Sequence, residues 1–174
     1  GVDMAKGTNQ KLKLVYLTKI MLDKTDDEHS LTMAQIIEEL AKYDISAERK
    51  SIYTDLNDIK DKIGIDIIKE SVGRETYYRV GQRKFELAEI KLLIDAIQAS
   101  KFITQNKSRE LIKKIKGLVS EYQASKLQRQ VYVQGRVKTM NESIYYNVNE
   151  IVSAINKNQK IIFLYFDYDT NHNR

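Results

Sequence analysis

The chain has 174 residues, of which 42% are apolar, so it is long enough to form one ordinary domain or two small ones with packed cores. It contains no Cys and only two His, which excludes disulfides and thiolate metal sites and leaves little for a zinc site or a histidine base. No segment reaches the roughly 18–20 consecutive apolar residues of a membrane span, and the N-terminus lacks a secretory signal pattern. We therefore expect a cytoplasmic protein without a cofactor, a metal or a membrane partner.

The formal net charge of +5 is unevenly distributed along the chain. Residues 1–85 hold fifteen basic and fifteen acidic side chains, whereas residues 86–130 hold nine basic and five acidic ones. Net charge supports nucleic-acid binding only where the basic residues are concentrated on the binding part. A nucleic-acid function of the N-terminal half must therefore be argued from local pattern.

The chain begins with residues 1–8, which we interpret as a vector-derived and flexible N-terminus because Gly1–Asp3 precede Met4. A first helix, expected at about residues 9–23, has apolar residues on two nearly opposite sides. One stripe contains Leu12, Val15, Tyr16 and Ile20, and the other contains Leu14, Leu17 and Met21. Either the helix is fully buried, or the second stripe contacts another subunit or the following domain. We assign the second stripe to a homodimer interface.

Two more helices and a hairpin follow. A second helix begins at Thr32, a suitable N-cap, and its predicted buried face contains Ala34, Ile36, Ile37, Leu40 and Ala41. After the short connection 44–46, a third helix is expected from about residue 47 to residue 63, with Gly64 as its C-terminal stop. The β-rich runs 65–70 and 75–80 flank a turn that contains Gly73, which predicts a hairpin. This order predicts a winged helix-turn-helix domain over residues 9–85.

The third helix has a buried side and an exposed side. The predicted buried side contains Ile52, Leu56, Ile59 and Ile63, so the opposite side faces outwards. In helix-turn-helix proteins the N-terminal part of this helix reaches the base edges, and basic residues at its flank and on the wing contact phosphates. Ser46 is the predicted N-cap. The candidate DNA-binding residues are Ser46, Ala47, Arg49, Lys50, Ser51, Tyr53, Thr54, Asn57, Lys69 and Arg74.

A different function remains open at this point. The acidic residues of the third helix balance its basic ones, and winged helices also serve as protein-docking modules. An exposed helix face with Lys and Thr is also common on proteins that bind no DNA. Of Tyr77 and Tyr78, which alternate along the hairpin, one is expected to pack on the third helix and the other to be exposed. Carboxylates are frequent, but none is paired with a nucleophile, a glycine loop or a metal-ligand cluster, so we expect no enzyme.

The C-terminal half is also predicted to be mainly helical. Helices are expected at residues 86–101, 106–123 and 144–157, an extended strand or linker at 131–138, and a strongly apolar strand at 160–168. The last strand needs a pairing partner, and we interpret it as the start of a truncated domain. A basic run on the second of these helices is either a solvated face, a DNA-backbone contact or a subunit contact; it contains Lys107, Arg109, Lys113, Lys114 and Lys116.

The segment from Tyr43 to Leu56, with the sequence YDISAERKSIYTDL, resembles the helix-turn-helix of bacterial WYL-domain transcriptional regulators. Residues 85–93 and 100–104 resemble the linker helices of that family, and residues 154–165 resemble the entry to its WYL domain. Thr54 departs from the family, many members of which have Arg at this place. The Trp-Tyr-Leu motif and the basic ligand-binding residues of the family would lie beyond Arg174, so no sensing site can be assigned.

The resemblance implies a fold that is mainly α with a small β-hairpin wing, followed by a helical linker and a truncated start of a β-barrel-type domain. Its parts are a DNA-binding domain at 9–85, a linker and dimerisation segment at 86–143, and an incomplete WYL effector domain at 144–174. The expected partners are double-stranded DNA, a second copy of the chain and, through the missing domain only, a nucleotide or nucleic-acid effector. The sequence therefore predicts a sequence-specific transcriptional regulator, and the alternative is a winged-helix assembly module without specific DNA binding.

Overall fold

The computed structural model describes residues 9–130 and 138–164. These residues form seven α-helices and one three-stranded antiparallel sheet, which confirms the prediction of a mainly helical chain with a small β element. The helices are α1 Lys13–Lys24, α2 Met33–Ala41, α3 Arg49–Asp58, α4 Leu87–Ala99, α5 Gln105–Lys116, α6 Glu121–Gln130 and α7 Ser143–Asn156. The strands are β1 Leu31–Thr32, β2 Ile67–Val72 and β3 Glu75–Val80.

Within the described residues, no helix combines the length and apolar character that crossing a membrane requires. Three predicted segments lie partly or wholly outside these residues. They are the N-terminus at 1–8, all but the last residue of the predicted strand at 131–138, and the last four residues of the predicted strand at 160–168.

Helix α1 is the central element of the N-terminal core, and a short 3-10 helix, Gln10–Leu12, precedes it. Leu17 and Met21 are completely buried, and Leu14 packs against the same core. The assignment of Leu17 and Met21 to a homodimer interface is therefore wrong, because these two side chains are covered by their own chain, whereas Leu14 is only partly buried. Leu12 and Val15, from the other stripe, are exposed.

Helix α2 begins as its sequence predicts. The Thr32 hydroxyl accepts from the Gln35 N–H at 3.3 Å, and the Gln35 side-chain oxygen accepts from the Thr32 N–H at 2.8 Å, which forms a capping box. Met33, Ile36 and Leu40 are buried. The predicted face was wrong at its edges, because Ala34 and Ala41 are exposed while Met33 takes a place in the core.

Helix α3 starts later than predicted. Glu48 is its N-cap residue, so the prediction that Ser46 caps it is wrong. A π-helical turn, Ile59–Ile63, extends the helix to Gly64, where a left-handed φ of 79° ends it. The wider turn shifts the helical phase, and Ile63 is therefore 49% exposed although the periodicity predicted burial.

The sheet has the strand order β1-β3-β2. In the hairpin Val72 pairs with Glu75, which leaves a two-residue loop of Gly73 and Arg74. Gly73 has a φ of 64°, a conformation that favours glycine at the first central position of a type II′ turn. Strand β1 pairs Leu31 with Tyr78 and was not predicted, because two residues are too few for any periodicity.

A second, smaller core lies among α4, α5 and α6. Its buried members are Ile90, Ile94, Ile112, Val119 and Leu127. The helix predicted at 106–123 is in fact two helices, because the chain leaves the helical path between Lys116 and Glu121. Ser120 directly precedes α6, and its hydroxyl accepts from the Gln123 N–H at 3.1 Å.

The joint between the two cores is built around Asp26, a buried carboxylate in the loop after α1. One oxygen accepts from the backbone N–H groups of Glu28 and His29 and lies 2.7 Å from His29 Nδ1, while the other accepts from the Ser120 hydroxyl. The His29 ring stacks on Tyr122 with centroids 3.7 Å apart. Burial opposes ionisation, but the hydrogen bonds from Ser120, His29 and Glu28 outweigh it and lower the pKa of Asp26.

Ion pairs reinforce this joint at its surface. Lys24 of α1 lies 2.6 Å from Glu121, and Lys126 of α6 lies 2.6 Å from Glu28. The end of α1 and the loop that follows it thus position α6 through two ion pairs, in which α6 contributes one acidic and one basic side chain.

Helix α7 differs from the other helices in that none of its residues is buried. Its apolar side chains are amphipathically arranged as predicted, but Val148, Ile151, Val152 and Ile155 are all exposed. Residues 160–164 have no regular structure, so the predicted strand is wrong over this described part.

Candidate nucleic-acid interface

Helix α3 presents a polar face to solvent. Lys50, Thr54 and Asn57 are exposed along it, whereas Ile52 and Leu56 on the opposite side are buried in the N-terminal core. The Thr54 hydroxyl donates to the Lys50 carbonyl oxygen at 3.3 Å, so Lys50 and Thr54 are one turn apart on the same face. The face is therefore held by the core beneath it, while its side chains remain available to a ligand.

The start of α3 differs from the predicted arrangement. Ser46 is exposed, and its carbonyl oxygen accepts from the Gln10 side chain at 2.6 Å, which connects the N-terminal 3-10 helix to the α2–α3 turn. Ala47 is partly buried and packs against the core, so it is less suited to a groove contact than the sequence suggested. Arg49 and Lys50 are the exposed residues of the first helical turn.

Lys13 of α1 holds the middle of α3, a contact that the sequence did not predict. Its ammonium group donates to the Ser51 hydroxyl and lies 2.8 Å from the Asp55 carboxylate. Ser51 is therefore already engaged within the protein and partly buried. The two positions are 38 residues apart in the sequence, so no local pattern connects Lys13 with Ser51.

The acidic residues that balance the charge of α3 are partly neutralised within the fold. Asp55 pairs with Lys13, and Asp58 pairs with Lys62 at 2.8 Å and raises the pKa of that lysine. In contrast, five basic side chains around this face form no ion pair with any residue in the described part of the chain. They are Arg49, Lys50, Lys60, Lys69 and Arg74. The unpaired charge here is thus more positive than the composition indicates.

The hairpin contributes basic residues beside α3. Lys69 and Arg74 are exposed, and Arg74 occupies the tip of the loop. Arg79 already forms ion pairs within the protein, because its guanidinium group lies 3.1 Å from Asp27 and 3.3 Å from Glu70. The two tyrosines differ, since Tyr78 is buried and Tyr77 only partly so.

A cleft of about 650 Å³ separates α3 from the hairpin. Tyr53 lies on the helix side, with its ring centroid 5.9 Å from Lys69 Nζ and 6.3 Å from the centroid of Tyr78. Burial and the neighbouring Tyr53 hydroxyl raise the pKa of Tyr78 to about 12, so its phenol stays protonated at neutral pH. Tyr53, Asn57 and Lys69, three of the predicted DNA-binding residues, therefore line one depression.

The basic run of α5 is distributed over the helix surface. Arg109, Lys113 and Lys114 are exposed, whereas Lys107 lies 3.4 Å from Glu110 and within 6 Å of the Tyr145 and Tyr146 rings. Lys107 thus connects α5 with α7. These contacts within the protein account for the position of Lys107, and no ligand is needed to explain it.

In the described part of the chain, no group of three or more His, Asp or Glu side chains is placed to hold a metal ion. The chain matches no family model, no curated protein and no solved structure. The exposed face of α3, the hairpin tip and the cleft between them therefore provide the basis for a functional assignment. The candidate residues that they bring together are Arg49, Lys50, Tyr53, Thr54, Asn57, Lys69 and Arg74.

Proposed function

We propose that residues 9–85 are a winged helix-turn-helix domain that binds duplex DNA as part of a transcriptional regulator. The element order supports this proposal: three helices, a short strand between the first two, and a hairpin that follows the third helix. In such domains the third helix enters the major groove and the hairpin lies beside it on the backbone.

The observation that carries the proposal is the group of five unpaired basic residues around α3 and the hairpin. Phosphate contacts by Lys and Arg provide most of the affinity for DNA, and ion pairs within the protein would weaken them. Arg49, Lys69 and Arg74 are the proposed phosphate contacts. Lys50, Thr54 and Asn57, on the exposed face of α3, are the proposed contacts to base edges.

Binding to a palindromic promoter duplex and to a random duplex, measured over a range of salt concentrations, tests the proposal. We expect Lys50→Ala to weaken specific binding by about 1–3 kcal/mol, whereas Arg49→Ala and Arg74→Ala should weaken binding to both duplexes equally. Lys62→Ala is a matched control, because Lys62 is on the same helical segment but is paired with Asp58. Equal binding of the two duplexes, or no binding at low salt, would contradict a specific regulator.

The resemblance to WYL-domain regulators supports a wider proposal, in which this chain is joined to a ligand-sensing domain and acts as a homodimer. The dimer contact must then involve residues other than Leu17 and Met21, which are buried. Light scattering of the 174-residue chain measures the association directly. A monomer at high micromolar concentration would count against dimerisation through this part of the protein.

A second function, assembly with another protein, is favoured by α7. Its apolar side chains are exposed, and the segment from Ile161 to Leu164 adds four more exposed apolar residues. Large uncovered apolar surfaces are typical of protein interaction sites. This alternative predicts self-association or partner binding that Lys50→Ala leaves unchanged, so DNA titration together with light scattering separates the two functions.

A further inference from the structure

The cleft between α3 and the hairpin has a composition that DNA binding alone does not require. Its volume of about 650 Å³ is within the roughly 300–1,000 Å³ of small-molecule sites. Buried Leu56 and Ile67 line its inner part, and Tyr53 adds a ring that is 41% exposed. A planar molecule could stack on this ring and cover the apolar side chains.

Two cations and one amide surround this apolar part. Lys60 and Lys69 both line the cleft and form no ion pair within the described residues, and Asn57 adds a donor and an acceptor. Two unpaired ammonium groups beside one cleft favour a ligand with two negative charges, such as a phosphate monoester. A ligand with a single carboxylate would leave one of them without a counter-charge.

A third feature is the Tyr78 hydroxyl. Tyr78 lines the cleft and is only 3% exposed, yet no described residue meets its hydroxyl in hydrogen-bonding geometry; the Tyr53 hydroxyl is near enough to raise its pKa but is not placed to form a good hydrogen bond. An unpartnered buried hydroxyl costs free energy, and most buried polar groups have a partner. A polar atom of a bound molecule could supply this partner, since the phenol is a donor at neutral pH.

We propose that this cleft is a binding site for a small planar ligand with a phosphate group, of the nucleoside monophosphate class. The ring stacks on Tyr53, Lys60 and Lys69 hold the phosphate, and Tyr78 donates to a polar edge of the ligand. Because Asn57 and Lys69 are also proposed DNA contacts, the bound ligand and duplex DNA exclude each other. This exclusion rests on the proposed function, whereas ligand binding itself does not.

Calorimetric titration of the 174-residue chain with adenosine monophosphate, adenosine and inorganic phosphate tests the site directly. We expect the monophosphate to bind at least tenfold more tightly than either fragment, because only it engages both the ring and the cations. Lys60→Gln should weaken its binding about tenfold, while Lys62→Gln, whose lysine is already paired with Asp58, should not change it. Equal binding of the monophosphate and inorganic phosphate, or equal effects of the two lysine variants, would overturn the proposal.

Tyr78→Phe provides a readout that separates binding from folding. The variant keeps the ring but removes the unpartnered hydroxyl, so the free energy of unfolding should stay equal or rise. Binding of the monophosphate should nevertheless fall three- to tenfold. Unchanged ligand affinity in this variant, with the fold intact by circular dichroism, contradicts the role of the hydroxyl.

Competition with DNA is measured last, with a fluorescent duplex displaced by the monophosphate. Displacement that requires about tenfold more monophosphate in the Lys60→Gln variant supports mutual exclusion, whereas duplex that stays bound when the monophosphate saturates its site contradicts it. If the monophosphate binds but the protein binds no duplex, the proposed function fails and the ligand site stands. If duplex binds and the monophosphate does not, the ligand site fails and the proposed function stands.

Discussion

The N-terminal and C-terminal parts of the described chain differ in how well they bury their apolar residues. Residues 9–84 place fourteen buried apolar side chains in one cluster, whereas the smaller cluster after Phe85 contains five, and α7 buries none. The candidate interface residues all belong to the well-packed part. The exposed face of α3 is therefore supported by a well-packed core, whereas the apolar surface of α7 is left uncovered by the described residues.

Truncation of one isoleucine in each part, buried in α3 and exposed on α7, should give the largest contrast. Ile52→Ala removes a fully buried residue beneath the exposed face of α3, and we expect a loss of about 3 kcal/mol in the free energy of unfolding. Ile151→Ala, at a position that is 44% exposed on α7, should cost less than about 0.5 kcal/mol. Urea denaturation of both variants measures the two values. Similar losses would mean that α7 is packed in solution and that the two parts do not differ in burial.

Asp26→Ala tests how much the joint between the two parts contributes to stability. The substitution leaves the Ser120 hydroxyl and two backbone N–H groups without their acceptor, so we expect a loss of about 2–3 kcal/mol. Asp27→Ala is the control, because that carboxylate is exposed and pairs only at the surface with Arg79. If both variants lose the same stability, Asp26 has no special role in the joint.

The lowered pKa of Asp26 makes the free energy of unfolding depend on pH. A carboxyl group whose folded pKa is below its ordinary value of 3.8 stabilises the fold fully above that value. The contribution is lost as the pH falls below 3.8 through the folded pKa. The difference in the free energy of unfolding between the wild-type and Asp26→Ala proteins should therefore be constant between about pH 7 and pH 5 and should shrink as the pH falls below 3.8.

Glycine substitutions should give the smallest contrast. Gly64, at the end of α3, has a φ of 79° and open space around it, so Gly64→Ala should cost about 1 kcal/mol through the backbone alone. Gly117, in the C-terminal part, has a helical φ of −69° and no backbone strain, and an added Cβ would lie 3.2 Å from the Lys114 carbonyl oxygen, so Gly117→Ala should cost less than Gly64→Ala, about 0.5 kcal/mol. Thermal unfolding of the pair measures the difference, and an equal loss at both positions would refute the backbone explanation.

Much of the N-terminal fold follows from local signals in the sequence. The Thr32 cap, the Gly64 stop and the Gly73 turn each depend on a few adjacent residues, and all three are confirmed. Periodicity also identified the buried Ile52 and Leu56. These features could be predicted because the chemistry that determines them lies within one or two turns of chain.

Other features depend on contacts that are distant in the sequence. Lys13 reaches α3 across 38 residues, and Asp26 reaches Ser120 across 94, so neither pairing has a local signature. The burial of Leu17 and Met21, which the sequence assigned to a dimer, depends on how α1 is covered by its neighbours. The break between α5 and α6 was missed because the apolar spacing continues through Leu118 and Tyr122, which are exposed.

Thr32 belongs to two elements at once, since it pairs with Tyr77 in the sheet and caps α2. A change in hairpin length that moved β3 by one residue would shift its pairing by about 3.3 Å. Two outcomes are then open. Either β1 moves with β3 and α2 loses the hydrogen bonds of its cap, or β1 stays in place and the β1–β3 pairing breaks. Loop insertions at Gly73 that leave this pairing in place are therefore tolerable, whereas insertions within β3 would alter the relative positions of the hairpin and α3 together.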